Sequence, residues 1–84
     1  MHIVYVLKSS IDNNFYIGCT SDVGGRIGYH NKGKVKSTKH RRPLVLVYRE
    51  DYDSIYDAFK IERYYKTAKG KSELKKKLAP SSNG

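Results

Sequence analysis

Apolar residues fall in three short alternating runs and two sparser stripes. Over His2–Lys8, Ile3, Tyr5 and Leu7 share one side while Val4 and Val6 share the other. Both sides are apolar, which predicts a strand covered on two faces, as in the middle of a sheet. Ser9–Asn14 is polar and carries Asp12, Asn13 and Asn14, the composition of a hairpin connection. Phe15–Thr20 predicts a second strand, antiparallel to the first, so that Tyr5 and Tyr16 lie in one sheet. Leu44–Arg49 predicts a third, again apolar on both sides, with Leu44, Leu46 and Tyr48 against Val45 and Val47.

Between these runs the apolar period changes to that of helices. Thr20, Ser21 and Asp22 offer capping side chains for a helix from about Asp22, with Val23, Ile27 and His30 or Asn31 on one face. Gly24, Gly25 and Gly28 each weaken it by about 1 kcal/mol relative to alanine, so a short, late or closely packed helix is expected. Lys32–Arg42 has no apolar period and reads as a loop ended by Pro43. Ser54 and Asp57 form the two halves of a capping box. Ile55, Ala58, Phe59, Glu62 and Tyr65 or Lys66 then form a stripe that faces the core. Gly70 is expected to break this helix, and Ser72–Leu78 to form a short third one on Leu74 and Leu78. The order β-β-α-β-α-α predicts an α+β domain over residues 1–78, a three-stranded antiparallel sheet flanked by helices. Residues 79–84 read as a disordered tail.

Charge adds a partner. The chain has 84 residues and a net charge of +9, from 17 basic and 8 acidic residues. A small domain this basic favours a polyanion, most simply nucleic acid. Lys32, Lys34, Lys36, Lys39, Arg41 and Arg42 gather in the loop; Lys66, Lys69, Lys71, Lys75, Lys76 and Lys77 form a second block. Glu50, Asp51, Asp53 and Asp57 read as an acidic patch between them. No aromatic residue sits among the loop cations, which suits phosphate contact, weak sequence preference and steep salt dependence. Eight tyrosines and no tryptophan predict many rings at the core edge with wet hydroxyls. Cys19 stands alone, which excludes an internal disulfide and a cysteine-based zinc site and favours a reducing compartment. No run has the form of a signal peptide or a membrane span, so a cytoplasmic protein away from the membrane is expected.

The spacing of a few polar groups then points to chemistry. Tyr16 lies eleven residues after Tyr5, and Arg26 ten beyond Tyr16. A phenol passes a proton, and a guanidinium clamps a phosphate with two hydrogen bonds. Gly18 inside a strand marks either a bulge or a close approach by backbone or ligand. Arg26 and His30 are four residues apart and share a helix face. Glu62 interrupts an apolar stripe, so it needs either an ion-pair partner such as Arg26 or a metal. One carboxylate suits Mg²⁺, which keeps its waters and takes phosphate oxygens. His2, His30 and His40 lack the spacing of a zinc site.

Taken together, these residues resemble the GIY-YIG nuclease superfamily over about residues 2–78. Ile3-Val4-Tyr5 stands at the GIY element and Tyr16-Ile17-Gly18 is the YIG element intact. Arg26, His30 and Glu62 match the family's helix arginine, its Tyr-or-His position and its metal-binding glutamate. Thr38–Pro43 and Lys60–Lys66 also look like segments of small stand-alone members. The resemblance implies an endonuclease that uses Mg²⁺ or Mn²⁺ to hydrolyse DNA phosphodiester bonds, in DNA repair or recombination. A tyrosine would help deprotonate the attacking water. Tyr5 and His30 would lie on the proton path, and Tyr16 would position water or phosphate. Arg26 would stabilise phosphate charge, and Glu62 would hold the metal against the phosphate and the leaving 3′ oxygen. Three departures stand out: Ile3 replaces a glycine, three glycines occupy the Arg26 helix, and Cys19 replaces a lysine found in some repair-type members. They keep open a second reading, a nucleic-acid-binding module with this fold and little or no catalysis. A third is a small basic protein bound to RNA or ribosomes. The expected partners are DNA, then RNA, and a protein that supplies specificity to a monomer.

Overall fold

A computed structural model of the chain describes residues 1–78; the expected tail over 79–84 lies outside the described residues. Strand β1 (His2–Ser9) is the middle of a three-stranded antiparallel sheet, with β2 (Phe15–Thr20) on one side and β3 (Leu44–Tyr52) on the other. Helices α1 (Val23–Asn31), α2 (Ile55–Tyr65) and α3 (Ala68–Leu78) complete the order β-β-α-β-α-α, with a short 3₁₀ turn at Lys39–Arg41.

The alternation along β1 becomes two cores. Ile3, Tyr5 and Leu7 pack with Leu44 against Val23 and Ile27 of α1. Val4 and Val6 pack with Ile17, Ala58, Tyr65 and Leu74 beneath α2 and α3. Every residue from Ile3 to Leu7 is buried, as two-sided covering requires.

β3 departs from the expectation of two apolar faces. Leu44 is buried, whereas Val45 and Val47 are 53% and 40% exposed. Val6 pairs with Tyr48 and Leu7 with Leu46, so Val47 is an extra residue in the ladder. This bulge shifts the alternation by one. Leu44 and Leu46 therefore join the α1 core, while Tyr48 and Tyr52 join the other. The strand also continues past Arg49 to Tyr52, which carries Glu50 and Asp51 into the sheet.

Asp22 caps α1, accepting from Gly25 N at 3.1 Å. A Cβ on Gly25 would lie 2.4 Å from the Asp22 carboxylate, so this glycine lets the cap close. At the other end, Asn31 bonds both the N–H and the C=O of Leu44, at 2.8 and 2.9 Å. Helix α1 is thus held at both ends despite its glycines. Ser54 caps α2 through Tyr56 N. Gly70, expected to break that helix, lies inside α3 instead. The chain turns earlier, at Lys66 and Thr67, where the Thr67 hydroxyl accepts from Gly70 N at 3.0 Å. A Cβ on Gly70 would lie 1.8 Å from the Tyr64 carbonyl, so the glycine permits the close packing of α3 on α2.

The stripe on α2 is also displaced from its expected place. Ala58 and Tyr65 are buried, with Ile61 packed beside them, but Ile55 and Phe59 are 38% and 46% exposed. The inward face centres on Ala58, Ile61 and Tyr65. Glu62 therefore sits at its margin, not within an apolar seam.

Candidate active site

The hairpin β1–β2 sets Tyr5 directly across from Gly18. A Cβ on Gly18 would lie 2.4 Å from the Tyr5 hydroxyl oxygen and 2.5 Å from Cζ. The tip of the phenol therefore occupies the space that any other residue would fill. Of the two readings of Gly18, close approach holds: the β1–β2 register runs unbroken through it.

Helix α1 lies over this notch and supplies two partners one turn apart. The Tyr5 hydroxyl lies 3.0 Å from His30 Nε2, and Arg26 Nε donates to the same oxygen at 3.4 Å. Tyr5 and His30 are 1% and 0% exposed. Tyr16 meets the His30 ring edge-on at a centroid distance of 4.9 Å and stands 6.3 Å from the Tyr5 ring. Arg26 also lies over the Tyr29 ring, 5.2 Å from its centroid. Tyr5, Tyr16, Arg26 and His30, far apart in sequence, thus form one cluster.

A residue that sequence reasoning missed completes it. Thr38 is fully buried, and its hydroxyl lies 2.8 Å from His30 Nδ1 and 3.5 Å from the Val35 carbonyl. Arg26 can only donate, so Tyr5 accepts from it and directs its own proton to His30 Nε2. Thr38 likewise donates to Val35 and accepts from Nδ1–H. These directions assign the Nδ1–H tautomer to His30. In the sequence Thr38 stands out only as the first residue of the family-like segment Thr38–Pro43, and nothing there gives its hydroxyl a role.

The electrostatics match this assignment. Burial lowers the His30 pKa from its ordinary value, and the Arg26 charge lowers it further, which favours the neutral ring. Burial raises Tyr5; the Tyr16 and Glu62 charges act the same way, and the Arg26 hydrogen bond opposes them. The bond to Tyr5 in turn raises Arg26.

Glu62 projects from the margin of α2 with its side chain 19% exposed, paired with Lys66 at 3.0 Å. The observed partner is therefore Lys66, one turn on, not Arg26. Burial raises the Cys19 thiol, and the Glu62 charge adds to it. Among the described residues, no three His, Cys, Asp or Glu side chains form a metal cage. A lone, partly exposed carboxylate fits a hard cation whose other ligands are water and phosphate.

The loop cations divide. Arg41 pairs with Asp12 at 3.2 Å, and its carbonyl accepts from Ser9 Oγ at 2.7 Å. Arg42 donates to the Lys39 carbonyl at 2.8 Å. Its guanidinium packs over Gly33, whose φ of +77° suits glycine. Both arginines thus shape the loop. Lys32, Lys34, Lys36 and Lys39 remain exposed. Thr38 anchors the same loop to His30, so these lysines flank the cluster.

Glu50 does not belong to the expected acidic patch, while Asp51, Asp53 and Asp57 are exposed. Asp51 pairs with Arg49 at 2.7 Å, while Glu50 turns inward. It accepts from the hydroxyls of Tyr48, Tyr52 and Tyr65 and pairs with Lys77 at 3.1 Å. Tyr5 and Tyr65, both fully buried with bonded hydroxyls, likewise depart from the expectation of wet tyrosines at the core edge.

The Tyr5 hydroxyl thus lies between an imidazole and a guanidinium, groups able to pass a proton and to hold an anion. The model of the GIY-YIG catalytic domain matches residues 1–77, and the chain belongs to that family. It therefore carries a nuclease-type domain. Among known proteins it is similar to a UPF0213 protein of Staphylococcus haemolyticus, 45% identical over 75 residues that span 88% of this chain and 90% of the relative. A UPF0213 protein of Staphylococcus aureus is 41% identical over the same coverage. The solution NMR structure of UPF0213 protein BH0048 from Bacillus halodurans is similar with a TM-score of 0.54 and 36% identity, covering 87% of this chain and 80% of that one. No helix among the described residues is long and apolar enough to cross a membrane.

Proposed function

We propose that the chain is a divalent-metal-dependent endonuclease that hydrolyses phosphodiester bonds in DNA. The observation that carries this reading is the Tyr5 hydroxyl, held between His30 Nε2 and Arg26 Nε in the notch left by Gly18. Bound Mg²⁺ or Mn²⁺, held by Glu62, would supply positive charge against the scissile phosphate and the leaving 3′ oxygen.

In this reading Arg26 is both a cover and a clamp. It closes over the buried Tyr5 hydroxyl by a long bond of 3.4 Å. An arriving phosphate accepts from the guanidinium and draws it away. Tyr5 then meets water. Phosphate charge also offsets the arginine that depresses His30, so the imidazole becomes a better base once substrate is bound. Tyr5 takes a proton from water as its own passes to His30 Nε2. The hydroxide so formed attacks phosphorus, and the bond to the 3′ oxygen breaks; its electron pair leaves on that oxygen, which takes a proton from solvent as His30 later returns its own. Thr38 accepts from Nδ1–H throughout and keeps the Nε2 lone pair aimed at Tyr5. Tyr16 packs on the imidazole edge and holds its plane.

Nicking of supercoiled plasmid and of a branched DNA, with and without Mg²⁺, tests the reading against Glu62→Ala and Arg26→Ala. Metal-dependent nicking that is lost in both folded variants is expected. Binding of either DNA without any cleavage by the wild type would instead favour the non-catalytic binding module.

A further inference from the structure

The outward face of α2 carries aromatics where the basic loop has none. Tyr56 is 80% exposed and Phe59 46%. Lys60 and Arg63 are exposed on the same helix, and Lys66 at its C-terminal cap. Tyr56, Phe59, Lys60 and Arg63 recur at three- and four-residue intervals, so they adjoin on one surface stripe. Phe59 is also three residues before Glu62 and seven before Lys66. The stripe therefore runs from Tyr56 to the carboxylate of the site.

We infer that this stripe is a stacking platform for an unpaired nucleic-acid strand beside the scissile phosphate, an inference that rests on the nuclease reading. Exposed rings interleaved with cations match a strand that is anionic along its backbone and apolar on its base faces. Paired bases hide those faces within the duplex stack, so a ring on a convex helix gains from them only when they are unpaired. A second copy of this chain is the poorer occupant, because it brings the same cations and a net charge of +9. Helix rise places Tyr56 about 9 Å along the axis from Glu62, or about two to three stacked nucleotides away. The substrate class that follows is DNA or RNA with a single-stranded stretch next to the cut, such as a flap, gap or branch.

The test is binding in EDTA, where cleavage is silent. A labelled single strand of about twelve nucleotides, as DNA and as RNA, is compared with the matching duplex. Tyr56→Ala and Phe59→Ala should each weaken single-strand binding about tenfold and leave duplex binding within about twofold. Tyr56→Phe should restore it. Neither alanine variant should change the salt slope, whereas Lys60→Ala or Arg63→Ala should lower it by about 0.7. An iodouracil-substituted strand should crosslink to Tyr56 or Phe59. Equal loss on single strand and duplex, or no loss on either, would overturn the platform while leaving the nuclease reading intact. So would a wild-type dimer that Tyr56→Ala dissociates. No nucleic-acid binding by the wild type would overturn both.

Discussion

The two faces of the sheet each bury a tyrosine-rich polar cluster, and the clusters are built to opposite ends. Beneath α2 and α3, Glu50 is saturated by three phenols and an ammonium. Burial alone would raise its pKa, but the bonds from Tyr48, Tyr52, Tyr65 and Lys77 outweigh it and hold the carboxyl at about 2. The cost falls on the phenols: burial and then the Glu50 bond push Tyr48 up to about 12. Every group is fixed in one protonation state. Beneath α1, the Tyr5 oxygen is shared between a neutral base and a cation, and the cation is only loosely held. A single proton shift from Tyr5 to His30 changes the state of the whole cluster. A saturated network locks a fold, whereas an unsaturated one beside an opening can do work.

The contrast yields a graded set of substitutions. Tyr5→Phe removes only a hydroxyl from the open cluster. Single-turnover cleavage should fall about 10³-fold, while stability falls by only about 1 kcal/mol for the buried His30 Nε2 left without its partner. Glu50→Ala should do the reverse. It leaves the buried Tyr65 and the half-buried Tyr48 and Tyr52 without their acceptor and should cost about 3 kcal/mol in denaturant unfolding, with the cleavage rate per folded molecule kept. The same carboxylate sets the acid limb. Its folded pKa lies below its ordinary 4.5, so its contribution is complete above about 4.5 and is lost as the pH falls towards 2. The midpoint temperature of the wild type should drop across that window, and a Glu50→Gln protein should show a flatter profile.

Gly18→Ala probes the notch itself. Its methyl group would force the Tyr5 hydroxyl off both partners, and cleavage should fall about 10²-fold, with a smaller loss of stability. The mildest change is Thr38→Val, which keeps the shape but removes the acceptor for Nδ1–H. It should lower the rate about tenfold and move the His30 ¹⁵N shifts away from the Nδ1–H pattern, and Thr38→Ser should restore both. Rate loss without any tautomer change would assign Thr38 to packing alone.

The same contrast explains what the sequence disclosed. Period-two runs made β1 legible as a two-faced middle strand, because each face buries its own core. The open cluster was largely legible too. Tyr5, Tyr16, Arg26 and His30 lie on regular elements whose faces follow from periodicity. The reason for Gly18 was within reach as well: an antiparallel register counted from the hairpin ends, Lys8 and Phe15, sets Tyr5 opposite Gly18. The closed cluster was hidden by the bulge at Val47. Counted from Leu44, the alternation puts Glu50 on the α1 face, one register step from the truth. Thr38 was hidden for another reason. It lies in a loop, where no period reports which side chain turns inward. On α2, Ile55 and Phe59 imitated a core stripe because exposed apolar side chains carry the same signal as buried ones.

Tyr5→Phe and Glu50→Ala, each measured for Mg²⁺-dependent nicking and for unfolding, test the division of labour most directly. The account predicts crossed losses: mainly rate in the first protein, mainly stability in the second. A Tyr5→Phe protein that nicks DNA at the wild-type rate would contradict it.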